Sequence, residues 1–303
     1  MTIKDFTVTS EYDGLSLRLT AVEADETLGV VLLNHGMAEH RKRYLPFIEY
    51  LAKNGFTCII NDHRGHGKSV ASSEDLGYFD ADALLSDMKQ INSLAREMYA
   101  DKPIYLFGHS MGSLAVRAYT RLYDDTINGL IVCGSPSENA AAGIAKGLCK
   151  LIAKVKGDRH RSDLLYSLSL GAYEKRFINE GKLAWLCAKK EVQNSYEEDR
   201  LCGFKFTVRG YNALFTLMQD AYAKKGWALN NKLLPVLFIA GSEDPCIVNR
   251  KQFLSAVDFM REKYPNTINK LYGGQRHEIL NSDIKEQVYE DVLNTLMNWL
   301  KVK

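Results

Sequence analysis

IYLFGHSMGS, residues 104–113, is the stretch on which the fold turns. Its first four residues are apolar and of strand type, and a segment with helical spacing, Gly112 to Tyr123, follows at once. Between them lies Gly108-His109-Ser110-Met111-Gly112, a G-x-S-x-G pattern placed where a strand must turn sharply into a helix. At such a turn the serine backbone is strained, and glycines on both sides are needed because a Cβ would crowd the adjoining strand and helix. The turn lifts the Ser110 hydroxyl above the carboxyl edge of the sheet. It also sets that hydroxyl near a helix N-terminus, whose free N–H groups and dipole favour negative charge.

Further strand-length apolar runs occur on either side: GVVLLNHG (29–36), FTCIIND (56–62), GLIVCGS (129–135), PVLFIAGSED (235–244) and NKLYGG (269–274). Segments of helical spacing alternate with them at Tyr44 to Lys53, Ala83 to Tyr99, Gly112 to Tyr123, Arg250 to Lys263 and Glu286 to Val302. In the last, Val288, Val292, Leu296 and Trp299 form one stripe, as a helix packed on a sheet requires. Alternation of this kind predicts right-handed βαβ units and a mostly parallel sheet covered on both faces. FTVTS and LSLRLTAV flank Asp13-Gly14, which predicts an antiparallel hairpin at the start. From Ser137 to Lys232 the alternation fails and several helices are expected with no buried strand.

A serine hydroxyl needs a base within hydrogen-bond reach, because its own pKa is far above neutrality. Where G-x-S-x-G sits on a strand-to-helix turn, the partners follow in the order serine, acid, histidine. His277, in the loop GGQRHEIL, is the one histidine after the resumed strands. Asp244 ends PVLFIAGSED, with Pro245 fixing the turn after it; Glu243 projects differently, and Glu138 is the weaker alternative acid. In HGMAEH (35–40), His35-Gly36 lets the backbone pass close to the serine, so the Met37 N–H would join that of Met111 as oxyanion donors. His35 and His40 read as loop-shaping, since no carboxylate cluster with metal spacing accompanies them. The chemistry calls for no cofactor and no metal.

The chain has 303 residues, of which 46% are hydrophobic and 25% charged, enough to bury a substantial core and to exclude disorder. A net charge of +2 does not point to nucleic acid, but its distribution is uneven. Ser137 to Lys232 holds 17 Lys and Arg against 10 Asp and Glu, while the remainder holds 22 against 27. No secretory signal or membrane-length apolar run is visible. Six cysteines without C-x-x-C spacing read as free, mostly buried thiols of a cytoplasmic protein.

Together with DHRGHGKS (62–69), these motifs resemble the α/β-hydrolases grouped as monoacylglycerol lipases, lysophospholipases and serine aminopeptidases. The resemblance covers residues 29 to 135 and 234 to 280. It implies an α/β-hydrolase core over 1–135 and 233–303, a helical lid over 136–232, a triad of Ser110, Asp244 and His277, and an oxyanion hole at Met37 and Met111. It makes His63 and His66 loop-shaping. The segment RLCGFKFTVRGYNALFTL (200–217) looks like the lid of bacterial members described as lysophospholipases; Cys246 has no assignable role.

The expected activity is cleavage of a carboxylic ester through an acyl-enzyme, of the monoacylglycerol lipase or lysophospholipase kind, on a small acyl ester or lipid. A serine aminopeptidase, which needs lid carboxylates for a substrate ammonium, and a non-catalytic binding protein are the alternatives. In GIAKGLCKLIAKVK (143–156), Ile144, Leu148, Leu151, Ile152 and Val155 share one face and lysines recur elsewhere. That helix either packs on the core or makes a peripheral membrane contact favouring anionic lipid. Of the aromatics Tyr166, Tyr173, Phe177, Trp185, Phe204, Phe206, Tyr211 and Phe215, most are expected to be packing residues.

Overall fold

A computed structural model describes residues 1–301. β1 (Thr2–Thr9) and β2 (Ser16–Glu23) form the expected hairpin. There follow β3 (Gly29–Asn34), α1 (Leu45–Lys53), β4 (Phe56–Asn61), α2 (Ala81–Met98), β5 (Ile104–His109), α3 (Met111–Tyr123) and β6 (Gly129–Cys133). After four helices come β7 (Val236–Gly241), α8 (Arg250–Arg261), β8 (Thr267–Tyr272) and α9 (Lys285–Lys301). The predicted last helix reached Val302, which lies outside the described residues.

The eight strands form one sheet in the order β1-β2-β4-β3-β5-β6-β7-β8. β1 and β2 pair antiparallel, β2 pairs antiparallel with β4, and every later pairing is parallel. Side chains alternate faces along a strand, so a sheet covered on both sides needs apolar residues at every position. β3 meets this requirement: Val30 and Leu32 pack with Leu84, Met88 and Leu114, while Val31 and Leu33 pack with Phe47, Ile48 and Val288. Each such side chain, when fully buried, contributes roughly 1.5–3 kcal/mol.

Between β6 and β7 lie α4 (Ala142–Lys156), α5 (Asp163–Arg176), α6 (Lys190–Glu198) and α7 (Val208–Ala221), with no strand. α7 packs against both α3 and α4. The packing of α4 departs from the stripe read in its sequence. Its buried residues are the small Ala142, Ala145 and Cys149, whereas Ile144 and Val155 are 78% and 75% exposed and Leu151 is exposed as well. Leu148 and Ile152 stay half-buried, so the expected face is split along its length. Among the described residues no helix is long and apolar enough to cross a membrane. Cys58, Cys133, Cys149, Cys187 and Cys246 are free and buried; Cys202 is free and half-buried.

β5 sits between β3 and β6 and delivers Ser110 to the carboxyl edge. The turn depends on two glycines. A Cβ on Gly112 would overlap the Asn34 carbonyl and lie 2.6 Å from the His35 carbonyl oxygen, and one on Gly108 would lie 2.6 Å from Val116 Cγ2. We expect Gly112→Ala to lower stability by about 1–3 kcal/mol, as overfilled cores do. Denaturant titration reads this, and an unchanged midpoint would show that the two segments separate freely.

Candidate active site

Ser110 caps α3 with φ 54° and ψ −119°, a left-handed conformation that costs a non-glycine residue energy. Its N–H donates to the Cys133 carbonyl (3.0 Å), and its own carbonyl accepts from the Ser113 N–H (2.9 Å). The residue is thereby held from both neighbouring elements. Met37 and Met111 stand beside it on the same cavity wall, and among the described residues no backbone carbonyl accepts either N–H.

Asp244 is fully buried at the end of β7. Its Oδ1 accepts from the Cys246 N–H (2.8 Å), which closes the turn Pro245–Ile247, and its Oδ2 lies 3.0 Å from His277 Nδ1. His277 is buried too, beneath the Trp185 ring with centroids 5.2 Å apart. Burial disfavours a charged imidazole, but the Asp244 carboxylate more than offsets this and holds the His277 pKa well above its ordinary value. With Nδ1 committed to Asp244, Nε2 faces the cavity that Ser110 also lines. The sulfur of Cys246 lies 3.9 Å from Nε2, whereas among the described residues no hydrogen bond joins the Ser110 hydroxyl to the ring. Such bonds commonly tighten only around substrate.

A buried ionic group that sequence reasoning missed lies behind these residues. Glu39 Oε1 accepts from the Gly36 N–H (2.6 Å) and the Tyr44 hydroxyl (2.8 Å), and its Oε2 pairs with Arg43 (2.6 Å). Arg43 also grips both carboxylate oxygens of Glu278, at 2.7 and 2.8 Å. One guanidinium therefore ties the loop carrying Met37 to the residue after His277. His109 completes the link, with Nδ1 2.8 Å from the Tyr44 hydroxyl and Nε2 3.3 Å from the His277 carbonyl. Burial would raise the pKa of Glu39 and of Glu278, but the His109 hydrogen bond followed by the Arg43 charge at Glu39, and the Arg43 charge at Glu278, keep both below the ordinary carboxylate range. The i,i+4 spacing of Glu39 and Arg43 was the available sequence signal.

The remaining histidines sit apart from Ser110 chemistry. His35 Nε2 accepts from the His63 N–H (2.9 Å) and its Nδ1 lies 2.8 Å from the Gly36 carbonyl. Burial depresses His63 to about 3 and His66 to about 4, so both stay neutral. Asp62 fixes DHRGHGKS by accepting from the Arg41 (2.9 Å) and Lys68 (2.8 Å) N–H groups. Glu138 reaches the cavity wall but makes no bond to His277.

The cavity over Ser110 and His277 has a volume of about 520 Å³ and a largely apolar wall that includes Leu168, Leu170, Leu214 and Met218. All eight aromatics pack in hydrophobic clusters, as expected of most of them, and Tyr166, Tyr173, Trp185, Phe204 and Phe215 line the cavity as well. Carboxylates reach the wall at Glu174 and Glu197 as well as Glu138. Glu174 accepts from the Tyr166 hydroxyl, and Lys182 lies 4.0 Å from it.

A mostly parallel eight-stranded sheet, with a serine on a strained strand-to-helix turn beside an Asp–His pair, defines an α/β-hydrolase. A family described as serine aminopeptidase, S33, matches residues 25–283, and the chain belongs to it. It is 26% identical over 273 residues to a monoacylglycerol lipase of Mycolicibacterium smegmatis, covering 90% of this chain and 89% of that one. It is 24% identical over 274 residues to a monoglyceride lipase of Rattus norvegicus, covering 89% and 82%. A carboxyl esterase from Bacillus coagulans shares the fold over 99% of both chains, at TM-score 0.87 and 23% identity.

Two outcomes follow from the site. A base must be neutral to accept a proton, so a reaction using His277 loses rate as pH falls through its raised pKa. The pH profile of kcat/KM on an uncharged ester should inflect above about 6.5, the ordinary histidine value; an inflection at or below it would contradict the assignment. Arg43→Met leaves Glu39 and Glu278 buried without their cation. It should cost about 3–5 kcal/mol in denaturant unfolding, and a wild-type midpoint would show that the pairs carry no weight.

Proposed function

We propose that this chain is a serine hydrolase that cleaves carboxylic esters of single-chain lipids, of the monoacylglycerol or lysophospholipid kind. The observation that carries the reading is Ser110 on its strained turn, sharing one apolar cavity with the Asp244–His277 pair. Ser110 attacks the ester carbonyl while His277 takes its proton and returns it to the leaving alkoxide. Asp244 holds the imidazole tautomer, so that Nδ1 carries the hydrogen and Nε2 the lone pair. The Met37 and Met111 N–H groups receive the oxyanion; losing one such donor costs about 100-fold to 1000-fold in turnover. Water then releases the acyl group.

Residues 136–232 act as the lid in this reading. Their cavity side offers an apolar wall for one acyl chain and polar groups for a head. On the outer side α4 exposes Ile144, Leu151 and Val155 on the same helix as the exposed Lys150, Lys154 and Lys156. Exposed apolar residues interspersed with lysines along one helix suit a peripheral contact with an anionic lipid surface. The expected location is cytoplasmic.

One observation favours a second reading, an aminopeptidase. Glu138 and Glu197 stand on the cavity wall and make no ion pair among the described residues, which is what capture of a substrate ammonium requires. A single panel separates the two: monoacylglycerols and lysophospholipids in neutral and in anionic vesicles, simple acyl esters, and aminoacyl amides. Ester turnover is expected to exceed amide turnover, to rise in anionic vesicles, and to fall by roughly 10⁴-fold or more in Ser110→Ala. Preference for the amides would install the peptidase, and undiminished turnover by Ser110→Ala would overturn the mechanism.

A further inference from the structure

Cys246 is the nucleophilic group at the site that hydrolysis does not use. It is 2% exposed on the turn after Asp244, and its sulfur borders the cavity 3.9 Å from His277 Nε2. Its backbone is pinned on both sides: the N–H donates to Asp244 Oδ1 (2.8 Å), and the carbonyl accepts from the Ser137 N–H (3.0 Å). Asp244, Cys246 and His277 each bring a ligand-type atom within 4.8 Å of the others.

We propose that Cys246 and His277 form a binding site for a thiophilic divalent cation such as zinc, with Asp244 as the supporting carboxylate, and that occupancy switches hydrolysis off. The geometry suits zinc. Bonds of about 2.0–2.1 Å to imidazole nitrogen and about 2.3 Å to thiolate sulfur at a tetrahedral angle separate the two atoms by about 3.6 Å. The observed 3.9 Å is close to that value and needs only a small side-chain rotation to match it. His277 is already oriented as metal-binding histidines are, with its other nitrogen against a carboxylate that fixes the tautomer and raises ligand basicity. The remaining coordination positions open into the cavity, where Ser110 and solvent compete for them.

Binding exchanges a sulfur–hydrogen bond for a sulfur–metal bond and releases the thiol proton to solvent. Burial holds this thiol neutral, with its pKa at about 11, so the cation has to displace the proton, and binding strengthens as pH rises. The bound cation takes the Nε2 lone pair that would otherwise receive the Ser110 proton. A second grouping, His40, Asp199 and Cys202, lacks this opening. There Nε2 lies 2.7 Å from Asp199 Oδ2, and Nδ1 accepts from the Lys42 N–H (3.3 Å), so neither ring nitrogen is available.

The inhibition rests on the hydrolase reading above, whereas binding does not, and the test measures each. Full-length wild type, Cys246→Ala, Cys246→Ser and Cys202→Ser are titrated with zinc during hydrolysis of a soluble ester. They are titrated separately with cadmium while the thiolate-to-metal charge-transfer absorption is followed. Zinc should inhibit wild type, and chelation should restore it. Either Cys246 substitution should raise the half-inhibiting zinc concentration at least about tenfold, since losing even a supporting residue of a metal site weakens binding that much. The cadmium band should vanish with Cys246 and persist in Cys202→Ser. Equal zinc sensitivity in the Cys246 variants, no band in wild type, or a band that follows Cys202 would overturn the proposal. A Cys246-dependent band in a protein without ester turnover would uphold the metal site while refuting the hydrolase reading.

Discussion

The left-handed backbone of Ser110 is the constraint around which the molecule is arranged. A side chain in that region of φ and ψ costs about 1–3 kcal/mol and persists only if its surroundings leave no alternative. Here the surroundings are the middle of the sheet. β5 is hydrogen-bonded to β3 on one side and β6 on the other, the Ser110 N–H is taken by Cys133, and α3 begins at the next residue. Gly108 and Gly112 let the helix start, the β5 end and the Asn34-His35 backbone meet without side chains between them. The same close approach that strains the serine brings the loop carrying Met37 alongside it.

The other groups at the site reach it from different strand ends, and charge holds them in register. Asp244 closes β7 and His277 follows β8, neighbouring parallel strands whose carboxyl ends lie side by side. Left alone, the loop after β3 and the loop after β8 would be positioned only by their own turns. Arg43 removes that freedom by pairing with Glu39, which holds the Gly36 N–H, and with Glu278, which follows His277. Two buried carboxylates around one guanidinium leave a net negative charge behind His277. His109 and Tyr44 disperse part of it through hydrogen bonds.

How much of this was legible in the sequence follows from how local each cause is. The Ser110 turn, the β1–β2 hairpin and the strand–helix alternation are written in residues adjacent along the chain, and all appear where periodicity and glycine placement put them. Asp244 and His277, which the sequence nominated by a strand-end turn and by chain order, lie 3.0 Å apart at Oδ2 and Nδ1. The Arg43–Glu278 pair spans 235 positions, and no local pattern announces a contact of that range. α4 failed for a different reason. Periodicity identifies an apolar stripe but not which part of it a neighbour will cover; α7 packs on α4, whose buried positions are the small Ala142, Ala145 and Cys149. Small residues won the interface, and Ile144, Leu151 and Val155 were turned outward.

That outward turn separates the charged outer surface of the segment from its largely apolar cavity wall. The helical segment between β6 and β7 carries an excess of seven positive charges, which read as a bulk property would argue against any cationic substrate. The lysines of α4 at 150, 154 and 156 face solvent, where salt screens them within about 8 Å. Glu138 and Glu197 border the cavity but are exposed as well, so the same screening reaches them. The net charge of the segment therefore describes its outer surface, whereas the cavity wall is set mainly by apolar side chains such as Leu170, Leu214 and Met218.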